Sequence, residues 1–514
     1  MSKNQYAIID MGSNSFRLVI NEIDTHGQYK ELYNFKTVAR LSTFITGEGD
    51  LSKEGVAIIL DTLTHFKQVT RYHQVNKTIV IATAAMRKAE NQKEIIRTVQ
   101  EKLGITIRIL SEYEEAFYGY LAVANSTNIT EGFTVDIGGG STEVTLFENR
   151  KLKHYHSFPF GAITLYQKFF HQTQDLEGSI QKLKQYINEQ LLTLPWLKVH
   201  LHYPVIGIGG SARNISLIHQ HKKRYPLAGI HQYEIDRDDI FHINNMLQQS
   251  TVEERSQIDG LSKDRVEIIV PAAEVISSIV DHVQADKFVM SRKGLRDGIF
   301  YEELLKTMET NLFPNVIEEN MHQITSKYKI KLEHANHISL LATQLYKELS
   351  SYAQVQHEHG IALKWLNLSA RVLYIGESIN SESSSQNTFY LLTNMTIEGL
   401  SHQERLAIAF ISSYKSKSQM IKFAEPFKQI IQKEDLKLFE FLGSIMKLAY
   451  SLDRTRRTAI TIGHVAKEND KLVLPLLYSE DPYFEQIQAA KNKKPLEKAI
   501  KHPIEFQYTP SNKF

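Results

Sequence analysis

Asp10-Met11-Gly12-Ser13-Asn14-Ser15 and Asp136-Ile137-Gly138-Gly139-Gly140-Ser141 are two versions of one device, set about 126 residues apart. In the first, Tyr6 to Asp10 is a short apolar run, Gly12-Ser13-Asn14 has turn composition, and Ser15 to Ile20 reads as a returning strand. In the second, Phe133 to Leu146 repeats strand, polar Gly-rich turn and strand, with Asp, Gly and Ser in the same register. A hairpin that recurs in this way predicts two related lobes, each opening with the same element. A third Gly-rich turn, Gly209-Gly210-Ser211, follows the strand candidate Pro204 to Ile208 and precedes a helix expected from Ala212.

Working outward, Val56, Ile59, Leu60, Leu63, Phe66 and Val69 recur at helical spacing, while Thr78 to Ala82 and Ile105 to Leu110 read as buried strands. Alternating strands and helices define an α/β N-terminal half. The strand signals fade around Thr310 to Pro314. The segment to about 465 is patterned as amphipathic helix, as in Ile338, Leu341, Leu345 and Leu349. A last strand-rich segment, including Lys471 to Tyr478, precedes the basic stretch Lys491 to Lys501. The expected division is therefore 1–124 and 125–307 for the two lobes, 308–465 for a helical domain, and 466–514 for a small α+β domain.

Glycine lets backbone N–H groups converge on a phosphate, so the turns are candidate anion cradles. Their residues are Gly12, Ser13, Asn14 and Ser15; Gly138, Gly139, Gly140 and Ser141; and Gly209, Gly210 and Ser211. Asp136 and Glu143 offer the oxygen donors that Mg²⁺ or Mn²⁺ prefers. Ser111-Glu112-Tyr113-Glu114 has capping-box spacing, which occupies Glu114. Glu115, about 100° further round the helix, is left to face a cleft. The positive helix end is expected to keep it ionised, as suits a residue that orients water or takes its proton.

Composition narrows the class. The 514 residues contain no cysteine, which excludes disulfides, thiolate metal sites and a thiol nucleophile. No signal-peptide pattern is visible at the start and no apolar run spans a bilayer, so a soluble cytoplasmic protein is expected. The net charge of +2 is unevenly spread: residues 411–514 hold 18 Lys and Arg against 12 Asp and Glu. A basic region of this kind favours polyanions. Arg454, Arg456 and Arg457 are its densest cluster and a candidate polyanion track. The pairs His219/His221 and His357/His359 read as surface histidines.

Taken together, Asp10 to Ser15, Thr83-Ala84-Ala85-Met86-Arg87, Ser111 to Ala116, Asp136 to Glu143, Phe160-Gly161, Gly207 to Ser211 and Ser291 to Gly298 closely resemble the exopolyphosphatase and guanosine pentaphosphate phosphatase family. The resemblance covers about residues 5 to 300 in order. It implies duplicated actin-like, ribonuclease H-like lobes with the site between them, and a homodimer. It also implies that Glu115 positions the attacking water, that Arg87 contacts phosphate, and that Asp136 and Glu143 serve a divalent metal. The resemblance fits inorganic polyphosphate and guanosine pentaphosphate alike; the basic C-terminal portion favours polyphosphate, with guanosine pentaphosphate as the alternative and a non-hydrolysing polyphosphate or nucleotide sensor as a reading of another class.

Two departures stand out. Phe117 occupies a position where the family often has Arg. The helical segment is similar to HD phosphohydrolase domains in His334 and in Leu448 to Arg454, yet the metal-binding His-Asp pair falls at Leu373-Tyr374. This implies a degenerate metal site and a binding role for the helical domain.

Overall fold

The computed structural model describes residues 4–171, 175–353, 355 and 358–511. His357 lies outside them. The chain divides into two compact units, one running to Val316 and the other from Ile317, with Pro226–Gly229 grouped with the second.

The first unit holds two sheets. Strands β1 (Asn4–Met11), β2 (Ser15–Ile23), β3 (Tyr29–Val38), β4 (Lys77–Ala82) and β5 (Ile107–Ile109) lie in the order β3-β2-β1-β4-β5. Strands β6 (Gly132–Ile137), β7 (Thr142–Glu148), β8 (Lys151–Phe158), β9 (Val205–Ile208), β10 (Tyr233–Asp236) and β11 (Lys287–Met290) lie in the order β10-β11-β9-β6-β7-β8. Read from β8, the second sheet runs β8-β7-β6-β9-β11. Its pairings follow the directions of the first, with three antiparallel strands from the hairpin and then parallel neighbours. The duplication expected from two hairpin turns is thus a duplication of whole sheets.

The central strands are near-continuous apolar runs because both their faces are covered. In β1, Ala7, Ile8, Ile9 and Met11 are all buried. Ile9 belongs to the core beneath the Lys53–Tyr72 helix, where Ile59, Leu63 and Phe66 supply the predicted stripe. Ile8 belongs to another core, shared with Ile81, Phe147, Ile206 and Val289, which therefore draws on both sheets. Most of the rest of that core comes from a helix pair, Glu112–Ala124 and Leu295–Leu305, joined by Leu110, Ile208 and Phe313. The two helices meet so closely that a Cβ on Gly298 would stand 2.1 Å from the Tyr118 carbonyl oxygen. Tyr118 donates to Glu302 at 2.8 Å across the same contact. The helix carrying Glu115 is thereby wedged between the lobes.

The second unit is mostly helical and ends in four strands, β12 (Ile460–Ile462), β13 (Ala466–Glu468), β14 (Lys471–Tyr478) and β15 (Ile504–Pro510). The sheet is β12-β14-β13 with β15 parallel to β14. Leu472, Leu474, Leu476 and Ile504 share one core with Leu341 and Leu345 of the Leu332–Leu349 helix and with Phe441 and Ile445 of the Lys433–Leu452 helix. The terminal segment was expected as a small separate domain. Its sheet buries its apolar face against the helices. His219, expected at the surface, is a correction: it is buried, with Nδ1 at 2.8 Å from the Tyr233 hydroxyl and Nε2 at 3.1 Å from Asp239.

Candidate functional site

The two hairpin tips are built alike. Gly12 N–H donates to the Ser15 carbonyl at 3.2 Å, and Gly138 N–H donates to the Ser141 carbonyl at 2.9 Å. Both tips line one cavity of about 220 Å³, together with Glu115, Gly209 and Gly210. Gly12, Ser13, Asn14 and Ser15 therefore face Gly138, Gly139, Gly140 and Ser141 in one cleft. The third turn departs from expectation in two ways. Its helix begins at Gly209 instead of Ala212, and Ser211 is buried behind the lining, where its hydroxyl accepts from Arg265 at 3.0 Å. Gly209 is left-handed, at φ 82°, and a Cβ there would stand 2.5 Å from Asp136 Oδ1, so only glycine lets the turn close over that carboxylate.

Register distinguishes the two copies. On the first hairpin Asp10 stands opposite Arg17; on the second Asp136 stands opposite Glu143. Opposed like charges repel. Burial pushes the Glu143 carboxyl up to about 8, with Glu115 and Asp136 adding to the rise while the Ser141 and Ser157 hydroxyls oppose it. Asp136, at the cleft floor, is raised to about 6, first by burial, against the pull of Arg296 and Arg265. Asp10 is paired with Arg296 at 2.7 Å.

Glu115 reaches the cleft because Glu114 is occupied. The Ser111 hydroxyl accepts from Glu114 N–H at 3.2 Å, and Glu114 Oε2 accepts from Ser111 N–H at 2.7 Å, completing the predicted capping box. The expectation that the helix end keeps Glu115 ionised is corrected. Its side chain is only 10% exposed, and burial raises its carboxyl to about 7 despite an ion pair with Arg87, while Asp10 and Asp136 raise it further. A helix-end charge effect of about 1 kcal/mol is too small to offset such burial. Arg87, expected at phosphate, is absent from the cavity lining. It donates to Glu115 and, at 2.7 Å, to the Leu110 carbonyl, so it holds the carboxylate.

The cations of the cleft are ones that the sequence reading passed over. Arg17, Lys36, Arg213, Arg265, Arg292 and Arg296 all line it. Arg17 and Arg213 are depressed in pKa by burial and then by neighbouring arginines. Arg265 is depressed chiefly by burial, partly offset by Asp264 and Asp136. Mutual repulsion among half-buried guanidiniums marks a place that gains from an anion. Signals for some were present: Arg292 and Arg296 sit inside the quoted Ser291 to Gly298 motif, and Arg17 follows the first tip. Phe117, at the position where Arg is common, packs on Tyr113 at 5.8 Å instead.

In the second unit, Arg457 is tied to Glu480 and to buried Glu485 at 3.2 and 3.3 Å. Arg454 lies over the Tyr450 ring. Of the proposed track, Arg457 is thus spent on carboxylates. Leu373, Tyr374 and His334 line one cavity, and His334 Nδ1 contacts Asp453 directly at 2.7 Å. Among the described residues no group of three or more His, Asp or Glu is arranged around a cation position, here or in the cleft.

Comparison with known proteins agrees with this geometry. Residues 19–307 match the Ppx/GppA phosphatase family, and residues 316–496 match Ppx/GppA phosphatase, domain III. Proteins of Vibrio parahaemolyticus and Vibrio vulnificus named guanosine-5'-triphosphate,3'-diphosphate pyrophosphatase are each 24% identical over 416 residues, 79% of this chain and 80% of theirs. Among solved structures, the Aquifex aeolicus Ppx/GppA family member is 25% identical with a TM-score of 0.53, covering 60% of this chain and 99% of its own. An exopolyphosphatase from Cytophaga hutchinsonii shares the fold at 24% identity and a TM-score of 0.54, covering 59% and 98%. The paired loops, the wedged helix and the appended helical segment have the same explanation: the chain belongs to the Ppx/GppA phosphatase family.

Proposed function

We propose that this phosphatase releases terminal orthophosphate from inorganic polyphosphate. The observation that carries the reading is the lining of the cleft, where two Gly-rich tips and six Lys or Arg side chains surround Glu115 and, among the described residues, no aromatic ring is present to stack a base. Such a lining suits a repeating phosphate chain better than a nucleoside. Backbone N–H groups of the tips and the arginines hold the phosphoryl oxygens and offset their charge. Ionised Glu115 accepts a proton from water as the water oxygen bonds to the terminal phosphorus. The P–O anhydride bond then breaks and the shortened chain leaves with its electrons.

Asp136 and Glu143 fit a hard divalent cation, Mg²⁺ or Mn²⁺. They are oxygen donors whose mutual repulsion a cation would relieve, and two carboxylates suffice where phosphate and water complete the shell. Bound there, the cation would neutralise phosphoryl oxygens.

Cleavage of guanosine pentaphosphate is a second reading, favoured by the names of the Vibrio relatives. The test is phosphate release from long-chain polyphosphate, guanosine pentaphosphate and ATP under one metal condition, with and without chelator. Polyphosphate should be preferred and chelator should stop turnover. Preference for the pentaphosphate would select the second reading, and full activity in chelator would remove the cation.

A further inference from the structure

The second unit contains a cavity of about 330 Å³, within the range of small-molecule sites. Leu373, Tyr374 and His334 line it. Its polar lining is cationic, with Lys329, Lys331 and Arg456 against Glu377. Neither lysine has a carboxylate partner among the described residues. The first turn of the 18-residue Leu332–Leu349 helix opens on the same space through His334 and Ala335, adding a positive helix end.

The other half of the lining is aromatic. Tyr328, Tyr374 and Tyr450 border the cavity above an apolar floor of Ile338, Ala370 and Ile375. The Tyr450 ring stands edge-on to Tyr374 at 5.1 Å and 5.9 Å from His334. The Tyr374 hydroxyl is turned away and donates to the Tyr414 carbonyl at 2.9 Å.

Two further features belong to the cavity wall. His334 gives Nδ1 to Asp453, and its buried Nε2 has no hydrogen-bond partner. Lys329, Tyr374 and Arg456 are also held in the left-handed backbone region, at φ 53°, 51° and 59°. Three such non-glycine residues, from three separate segments, converge on one cavity. Each lies just past a helix end, at Lys327, Arg371 and Leu452, so three helix stops bring these side chains to the cavity rim.

We infer that this cavity is a second, non-catalytic site for a nucleotide, with the base against the tyrosines and the phosphates held by Lys329, Lys331 and Arg456. The tyrosines supply the stacking surface that the phosphate cleft lacks, and the cations supply charge-assisted hydrogen bonds.

The intact chain carrying Glu115→Gln, saturated with tripolyphosphate to fill the cleft, would be titrated with fluorescent N-methylanthraniloyl GDP and ADP. One equivalent should bind, and unlabelled GDP should displace it while guanosine and pyrophosphate compete at least about tenfold less well. Lys331 is exposed, so Lys331→Ala leaves the core intact. Alone it should weaken binding about tenfold, and with Arg456→Ala further, at an unchanged thermal midpoint. Absence of nucleotide binding with the cleft filled, or binding indifferent to both substitutions, would overturn the site.

Discussion

Glu115 and its neighbour Glu114 differ by one position and have different work, because one carboxylate closes a capping box and the other enters the cleft. Glu115→Gln should lower turnover by about 100-fold or more while substrate still binds, since the amide keeps the size but takes no proton. Glu114→Gln should leave most activity. Phosphate release and equilibrium binding separate the two, and the opposite pattern would reverse the assignment. Because burial holds the Glu115 carboxyl up near 7, the rate should rise with pH through that value. Arg87 lowers it, so in Arg87→Gln the rising limb should move to higher pH, as a pH–rate profile would show.

Glu143 makes a matching statement about stability. Its folded carboxyl is raised to about 8 from an ordinary 4.5, so the folded state holds a proton that the unfolded state has given up across that window. Stability contributed by the protonated form is therefore lost as pH rises from about 4.5 to about 8. In chelator, the thermal midpoint should fall over this range. Glu143→Gln should flatten the fall, and an unchanged slope would place its cause elsewhere.

At the scale of elements, the site depends on two close approaches that no side chain could tolerate. Gly298→Ala would drive the Leu295–Leu305 helix off the Glu112–Ala124 helix, because its Cβ meets backbone and not a movable side chain. The expected cost is about 1–3 kcal/mol, read in denaturant unfolding, and a displaced Glu115 lowers turnover in the same variant. Gly209→Ala would combine a left-handed strain with a clash on Asp136. It should raise the divalent cation concentration needed for activity more than it lowers the thermal midpoint. A change in stability alone would separate this turn from the carboxylate it covers.

For the whole molecule, a chain cut after Val316 retains every residue lining the cleft and keeps Phe313, which is buried in the core between the sheets. An earlier cut near 305 would strip Phe313 away. The 1–316 chain should still hydrolyse tripolyphosphate. Without the basic C-terminal region, it should lose affinity for long chains and show a shallower salt dependence, because fewer phosphates are neutralised. Identical salt slopes for cut and intact chains would remove the second unit from substrate tracking. Arg457→Gln is a poor probe of that track, since it leaves Glu485 buried beside a missing partner.

Much of this was legible in the sequence because it is written locally. The hairpins came from alternation and glycine, the Lys53–Tyr72 helix from its 3.6-residue period, and Ser111 to Glu115 from capping chemistry over a few residues. The repeated Asp-Gly-Ser register carried the duplication, and the structure extends it to whole sheets. Other features depend on what lies across space. Glu115 was expected to stay charged from its helix end, but its pKa is governed by burial and by Asp10 and Asp136, which arrive from other strands. Arg87 reads in sequence as a phosphate contact, and only the fold shows that it also pairs with Glu115. Arg17, Arg213, Arg265 and Arg296, scattered over some 280 residues, became one cluster only when two sheets faced each other. Sequence alone determined the hairpins and their Gly-rich turns, because propensity and turn chemistry act between near neighbours. Tertiary structure alone decided the charges, because desolvation and Coulomb interaction depend on which distant residues are brought together.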